Sequence, residues 1–184
     1  MQSQNTVILE GDKNSFAIEC LISKIIPQES QLVLGAFCIW INGIRYGVWE
    51  DEATLLACSY DDVERRIVER GLHISPLAAN EDGRSLINTI DAMIYSESFD
   101  TTTLSTDFDS KYLHEKGIVW APDGDEAFDD GSFILQFDLE DKVRLIAIRD
   151  GQDFTEIWLE SDDFYEILAN WKNSFEEALK KMAP

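Results

Sequence analysis

The run Leu34-Gly35-Ala36-Phe37-Cys38-Ile39-Trp40-Ile41-Asn42-Gly43-Ile44-Arg45-Tyr46-Gly47-Val48-Trp49 constrains this chain more than any other stretch. Two segments rich in β-branched and aromatic residues flank Asn42-Gly43, and Asn-Gly tolerates the positive φ that a type I′ turn requires. The run reads as a β-hairpin. Alternation puts Phe37, Ile39 and Ile41 on one face of its first strand and Trp40 on the other. Both faces carry large apolar groups, which places the hairpin centrally in a sheet covered on both sides.

Further strands are expected at 7–9 and 16–22, with a turn at 11–14, and a short connection at 27–30 leads into the hairpin. After Trp49, the run Thr54-Leu55-Leu56-Ala57-Cys58 suits strand and helix equally. Asp61-Asp62-Val63-Glu64 then opens a short helix, with Asp61 as cap and Gly71 as stop. Asp61 with Arg65, and Asp62 with Arg66, have ion-pair spacing. Residues 72–75 read as a short strand, His73 alternating with Leu72 and Ile74. Ile87, Ile90 and Ile94 predict a helix over 85–95, and the polar stretch 96–106 a loop. A helical turn is expected at 111–116 and a strand at 118–120.

Strands at 133–137, 143–149 and 155–159 have hairpin-length connections and form a second antiparallel meander. The last helix starts at Ser161-Asp162-Asp163, acids at the positive end of its dipole. Phe164, Ile167, Leu168, Trp171, Phe175 and Leu179 form one apolar stripe along it. The expected fold is α+β: a mostly antiparallel sheet of hairpins, flanking helices and a long C-terminal amphipathic helix. Residues 1–184 fit a single domain.

The charge bears on function. The 184 residues hold 36 Asp and Glu against 15 Lys and Arg, a formal net of -21. Such a surface is repelled by phosphate backbones and anionic membranes, so neither nucleic acid nor membrane is an expected partner. Read as a field, the charge favours a basic protein partner. Read as solvation, it carries no partner at all. Cys20, Cys38 and Cys58 show no CxxC spacing and read as reduced core residues of a cytoplasmic protein. The N-terminus has no signal-peptide pattern, and no apolar run is long enough to span a bilayer.

No catalytic, cofactor or metal residue is assigned. His73 and His114 lie in no metal-ligand spacing, and the nucleophile-elbow, P-loop and Rossmann patterns are absent. The acidic loop at 123–131 fails as an EF-hand, because Ala127, Phe128 and Ile134 stand where ligands or glycine are required. Its residues Asp123, Asp125, Glu126, Phe128, Asp129 and Asp130 fit a protein interface, the ring anchoring and the carboxylates steering. The alternative is a solubilising loop with Phe128 folded into the core.

The stretch Gly35-Ala36-Phe37-Cys38-Ile39-Trp40-Ile41-Asn42-Gly43, then Tyr46-Gly47 and Thr54-Leu55, with the acidic helical tail bearing Trp171 and Phe175, resembles the immunity protein 42 family. The resemblance implies a cytoplasmic, non-enzymatic antidote from a bacterial polymorphic-toxin or contact-dependent inhibition system. Such a protein binds a cognate toxin C-terminal domain, and many such toxins would be basic nucleases. An enzyme or metal-dependent module built on acidic loops is the competing expectation, and an adaptor is a third.

Overall fold

The computed structural model describes residues 5–26, 33–95, 109–122, 124, 126–150 and 152–182. Two antiparallel sheets and a long helix build the core. The first sheet has the order β1 (Thr6–Gly11), β2 (Phe16–Ile25), β3 (Val33–Ile41), β4 (Ile44–Tyr46), and β5 (Thr54–Leu55) pairs with the far end of β3. The second runs β6 (Val119–Ala121), β7 (Ser132–Leu139), β8 (Lys142–Arg149), β9 (Gln152–Glu160). The expected antiparallel hairpins and flanking helices are present, divided between two sheets. The expected connection at 27–30 and the loop at 96–106 lie outside the described residues.

The central hairpin forms as its sequence dictates. Asn42 and Gly43 take φ of 50° and 80°, the left-handed pair that a I′ turn needs. Its first strand, β3, is flanked by β2 on one side and by β4 and β5 on the other. Phe37, Ile39 and Ile41 are buried on the inner face beside Phe16, Ile18 and Ile22 of β2. On the outer face Ala36 and Cys38 of the hairpin are buried as expected and Trp40 is half-buried, whereas Val7 and Leu9 of the edge strand β1 are exposed.

Gly35 is demanded by packing. A Cβ at this position would stand 1.8 Å from the Leu21 carbonyl oxygen and 2.8 Å from Leu56 Cδ1. Gly35→Ala should therefore push two central strands apart, at a cost of about 2 kcal/mol or more. A denaturant midpoint equal to the parent's would show that the strands yield freely.

The C-terminal helix α4 (Ser161–Met182) begins one residue after β9. Its apolar stripe joins the two sheets. Phe164 lies 4.9 Å from Phe16, and Trp171 meets Phe37 edge-on at 5.3 Å, centroid to centroid. Val143, Leu145 and Ala147 of β8 complete this core from the second sheet. Asn42 fastens the sheet corners by donating from Nδ2 to Thr155 Oγ1 and the Glu156 carbonyl. The other face of the second sheet carries Phe133, Leu135, Phe137 and Ile146 and packs on Leu86, Ile87 and Ile90 of α2 (Gly83–Tyr95). Buried Arg144 donates to the carbonyls of Ala78 and Glu81, holding the approach to that helix.

Three local expectations need correction. The first helix, α1 (Leu56–Val68), starts five residues before Asp61, so Asp61 caps nothing. The ambiguous run 54–58 divides: Thr54 and Leu55 pair with β3, and Leu56 turns into the helix. Residues 72–75 form no strand, and their burial is the reverse of apolar-in: His73 is 1% exposed whereas Leu72 and Ile74 are 54% and 43% exposed. Cys20 and Cys38 are buried as expected, and burial pushes the Cys20 thiol up to about 12. Cys58 is exposed, which removes it from the expected set of core cysteines.

His73 earns its burial through backbone links. Its Nδ1 pairs with the Lys116 carbonyl at 2.8 Å, and its Nε2 is buried with no partner among the described residues. Burial, with the Arg66 charge adding, holds its pKa below the ordinary 6.5; the Lys116 carbonyl, Asp138 and Glu69 oppose this. A depressed folded value means that the unfolded chain binds the proton more readily below pH 6.5. This contribution to stability is complete above 6.5 and is lost as pH falls towards the folded value. Thermal melts between about pH 7.5 and 5 should fall more steeply for the parent than for His73→Gln. Parallel slopes would assign the acid sensitivity elsewhere.

Candidate functional site

The acidic loop after β6 is pinned to the central hairpin. Glu126–Phe128 form a short 3-10 turn, and the Val48 N–H donates to the Ala127 carbonyl at 2.7 Å. Asp130 accepts from the Gly47 N–H at 3.0 Å and the Ser132 N–H at 3.1 Å, so its carboxylate is spent on holding the loop. Phe128 is 3% exposed and meets Phe37 edge-on at 6.1 Å. The ring points into the core, and the expected surface anchor is not displayed. Of the other candidates, Glu126 and Asp129 are exposed, whereas Asp123 and Asp125 lie outside the described residues.

The pinning has a second effect. Glu50, Asp51 and Glu52 follow Val48 by a few residues and are all exposed. The Val48–Ala127 bond ties the chain just before this segment to the loop that carries Glu126 and Asp129. One backbone bond thus ties two acidic segments more than seventy residues apart in sequence.

Beside the loop opens a cleft of about 450 Å³. Cys58, Asp61, Asp62 and Arg65 of α1 form one wall. His114 of α3 (Ser110–Glu115) and Gly117 form another, and Pro122 and Gly124 bring the loop to its lip. Asp61, Arg65 and His114 are exposed. Asp62 is turned inward: it receives Arg66 Nε at 3.0 Å and also pairs with Arg65, so Arg65 bridges to Asp62 where the sequence suggested Asp61.

Below the cleft lies a buried polar network. Arg66 is fully buried and donates to Asp62, to the carbonyls of Gly117 and Val119 and to Gln136 Oε1, all at 3.0 Å. Its guanidinium stacks 4.6 Å from the Trp120 ring centroid. Gln136 Nε2 donates to the Tyr165 hydroxyl, which donates to Asp138 at 2.9 Å. Asp138 in turn accepts the N–H groups of Gly71 and His73. Every charge here is answered by a fixed partner, so the network supports the cleft floor.

Sequence reading missed this cleft. Cys58 and Asp61 of α1 and His114 of α3 lie some fifty residues apart, and neither their spacing nor their local pattern marks them as neighbours. Among the described residues no group of three His, Cys, Asp or Glu side chains is placed to hold a metal ion. No helix among them is long and apolar enough to cross a membrane. The site therefore offers a concave surface whose walls set exposed Asp61 beside exposed Arg65 and His114.

A family model described as immunity protein 42 matches residues 8–174. The chain belongs to the immunity protein 42 family. The match spans both sheets and most of α4, so the hairpin, the cleft and the pinned loop all fall within it. A search of curated proteins finds no match. Among solved structures, the crystal structure of CdiI from Burkholderia dolosa AUO158 is similar in fold, with a TM-score of 0.60 and 14% sequence identity. The similarity covers 89% of this chain and 97% of that one. An immunity protein is a toxin-neutralising protein, and that is the role family membership gives to this chain.

Proposed function

We propose that this immunity protein binds one cognate bacterial toxin domain and blocks it by laying an acidic surface over a basic functional cleft, as on a nuclease. The observation that supports the reading is a net charge of -21 on a chain whose exposed Glu50, Asp51 and Glu52 follow Val48, the residue tied to the loop that carries exposed Glu126 and Asp129. A folded polyanion of this kind can stand where nucleic acid would lie. The protein performs no reaction of its own; it acts in the cytoplasm by occupancy. Asp61 and the acidic residues of the pinned loop, Asp123 and Asp125 included, supply the contacts, and Phe128 supports them from beneath.

Co-expression with the cognate toxin domain tests this. Rescue of growth, with the two chains co-purifying as a complex, is the expected result. A toxin that remains active while bound, or rescue without a complex, would rule out blocking by occupancy.

A further inference from the structure

Helices α1 and α4 leave a second concavity between them. It measures about 250 Å³ and is lined by Val33 of β3, by Ala57, Tyr60 and Asp61 of α1, and by Phe175, Glu176 and Leu179 of α4. Helical spacing builds its walls: Ala57 with Asp61, and Phe175 with Leu179, stand four residues apart, so each pair shares a face. Val33 and Phe175 are buried, and Ala57, Tyr60 and Leu179 are half-buried.

The two carboxylates on this groove differ. Glu176 accepts from the Tyr60 hydroxyl at 2.6 Å and pairs with Lys172 at 3.1 Å, so its charge is answered within the chain. Asp61 has no such partner. Its spacing offered it Arg65, but Arg65 pairs with Asp62. Among the described residues no hydrogen bond or ion pair reaches the Asp61 carboxylate. Asp61 is exposed and lines both this groove and the cleft of about 450 Å³.

Chemistry selects the occupant. The groove is smaller than the roughly 300 Å³ at which small-molecule sites begin, and suits one long side chain. Apolar walls beside one unpaired carboxylate fit an aliphatic stem with a cationic head. A wholly apolar side chain would strip water from Asp61 and give nothing back. An acidic one would meet the like charges of Asp61 and Glu176. We propose that the groove between α1 and α4 is the anchor site for one lysine or arginine of the toxin domain, its stem against Phe175 and Leu179 and its cation on Asp61. This rests on the reading that the chain blocks a toxin by binding it. It supplies what Phe128, turned into the core, does not: a seat for an anchoring side chain. Seated against apolar walls, the ion pair is screened little by salt and acts on dissociation, whereas steering by the exposed acids acts on association.

Association and dissociation kinetics of the full chain with its cognate toxin domain test this. Ala57→Leu fills the groove and alters no charge; it should raise the dissociation rate at least about tenfold. Leu179→Ala, which removes part of the wall, is the second variant should the leucine distort the fold. Asp61→Asn keeps the side-chain shape and removes the charge. It should raise dissociation about three- to tenfold, to a similar degree at about 0.05 M and 0.5 M salt. Glu177→Gln, exposed on α4 and outside the groove, should leave dissociation unchanged. Each exposed Lys and Arg of the toxin domain is then changed to Ala in turn. One of them should cost little further affinity in the Asp61→Asn background, the mark of a shared contact. A bound and blocked toxin whose dissociation ignores Ala57→Leu, Leu179→Ala and Asp61→Asn overturns the anchor and leaves blocking intact. So does an apolar toxin residue that couples to Ala57→Leu while no cation couples to Asp61. Failure to form any complex overturns both readings.

Discussion

Replacing Arg66 with Met is expected to destabilise the fold by about 3–5 kcal/mol, the usual cost of removing one partner from a buried ion pair. The stem volume is kept, so cavity formation is a minor part of the loss. The main cost is what stays behind. Asp62, 7% exposed, loses its Nε donor, and the Gly117 and Val119 carbonyls and Gln136 Oε1 lose theirs. Each buried group stripped of its partner costs about 1–3 kcal/mol, although Arg65 still reaches Asp62. A domain of ordinary stability has about 5–15 kcal/mol in all, so this variant sits near the threshold of folding. Arg66→Lys should recover part of the loss, because a point charge satisfies Asp62 but cannot span three acceptors from one planar fork. Denaturant midpoints at constant slope measure these differences. A loss below about 1 kcal/mol for the Met variant would mean that water enters and re-solvates the site.

Reversing the acidic surface should produce the largest change in function. Glu126→Lys, Asp129→Lys and Asp61→Lys together move the net charge by six units at exposed positions. Like-signed fields then meet during the encounter with a basic toxin domain. The association rate should fall by about 10–100-fold at low salt, with less effect on dissociation, since steering acts before contact. The parent on-rate should itself fall as salt rises, and that dependence should be flatter in the variant. Stopped-flow association with the cognate toxin domain reads both. Because these side chains lie outside the core, circular dichroism and melting should be close to the parent's. An unchanged on-rate would place the interface on another face.

Where local chemistry specified the structure, the sequence could be read directly. Asn42-Gly43 announced its turn because few residue pairs accept two positive φ values in succession. The α4 stripe and the β7–β9 meander were legible because their periodicities, 3.6 and 2, extend over many residues. The start of α1 was not. Leu55 carries no side-chain cap, and the switch from strand to helix there is set by pairing with β3, twenty residues earlier in the chain. Family membership was legible too, from the hairpin outward.

The candidate site depended on assembly. Phe128 suited a surface anchor or a core residue equally until Phe37 supplied the ring it packs on. His73 stood between two apolar neighbours as though all three were strand residues, yet the fold buries the imidazole and exposes the neighbours. The cleft exists only because α1, α3 and the pinned loop converge. The sequence by itself determined the elements and the total charge, which are properties of short windows and of composition. The tertiary structure alone decided which carboxylates are spent on ion pairs and hydrogen bonds, as Asp62 and Asp130 are, and which face solvent, as Glu126 and Asp129 do. That outcome is set by contacts between residues far apart in the chain, whose energies no local pattern encodes.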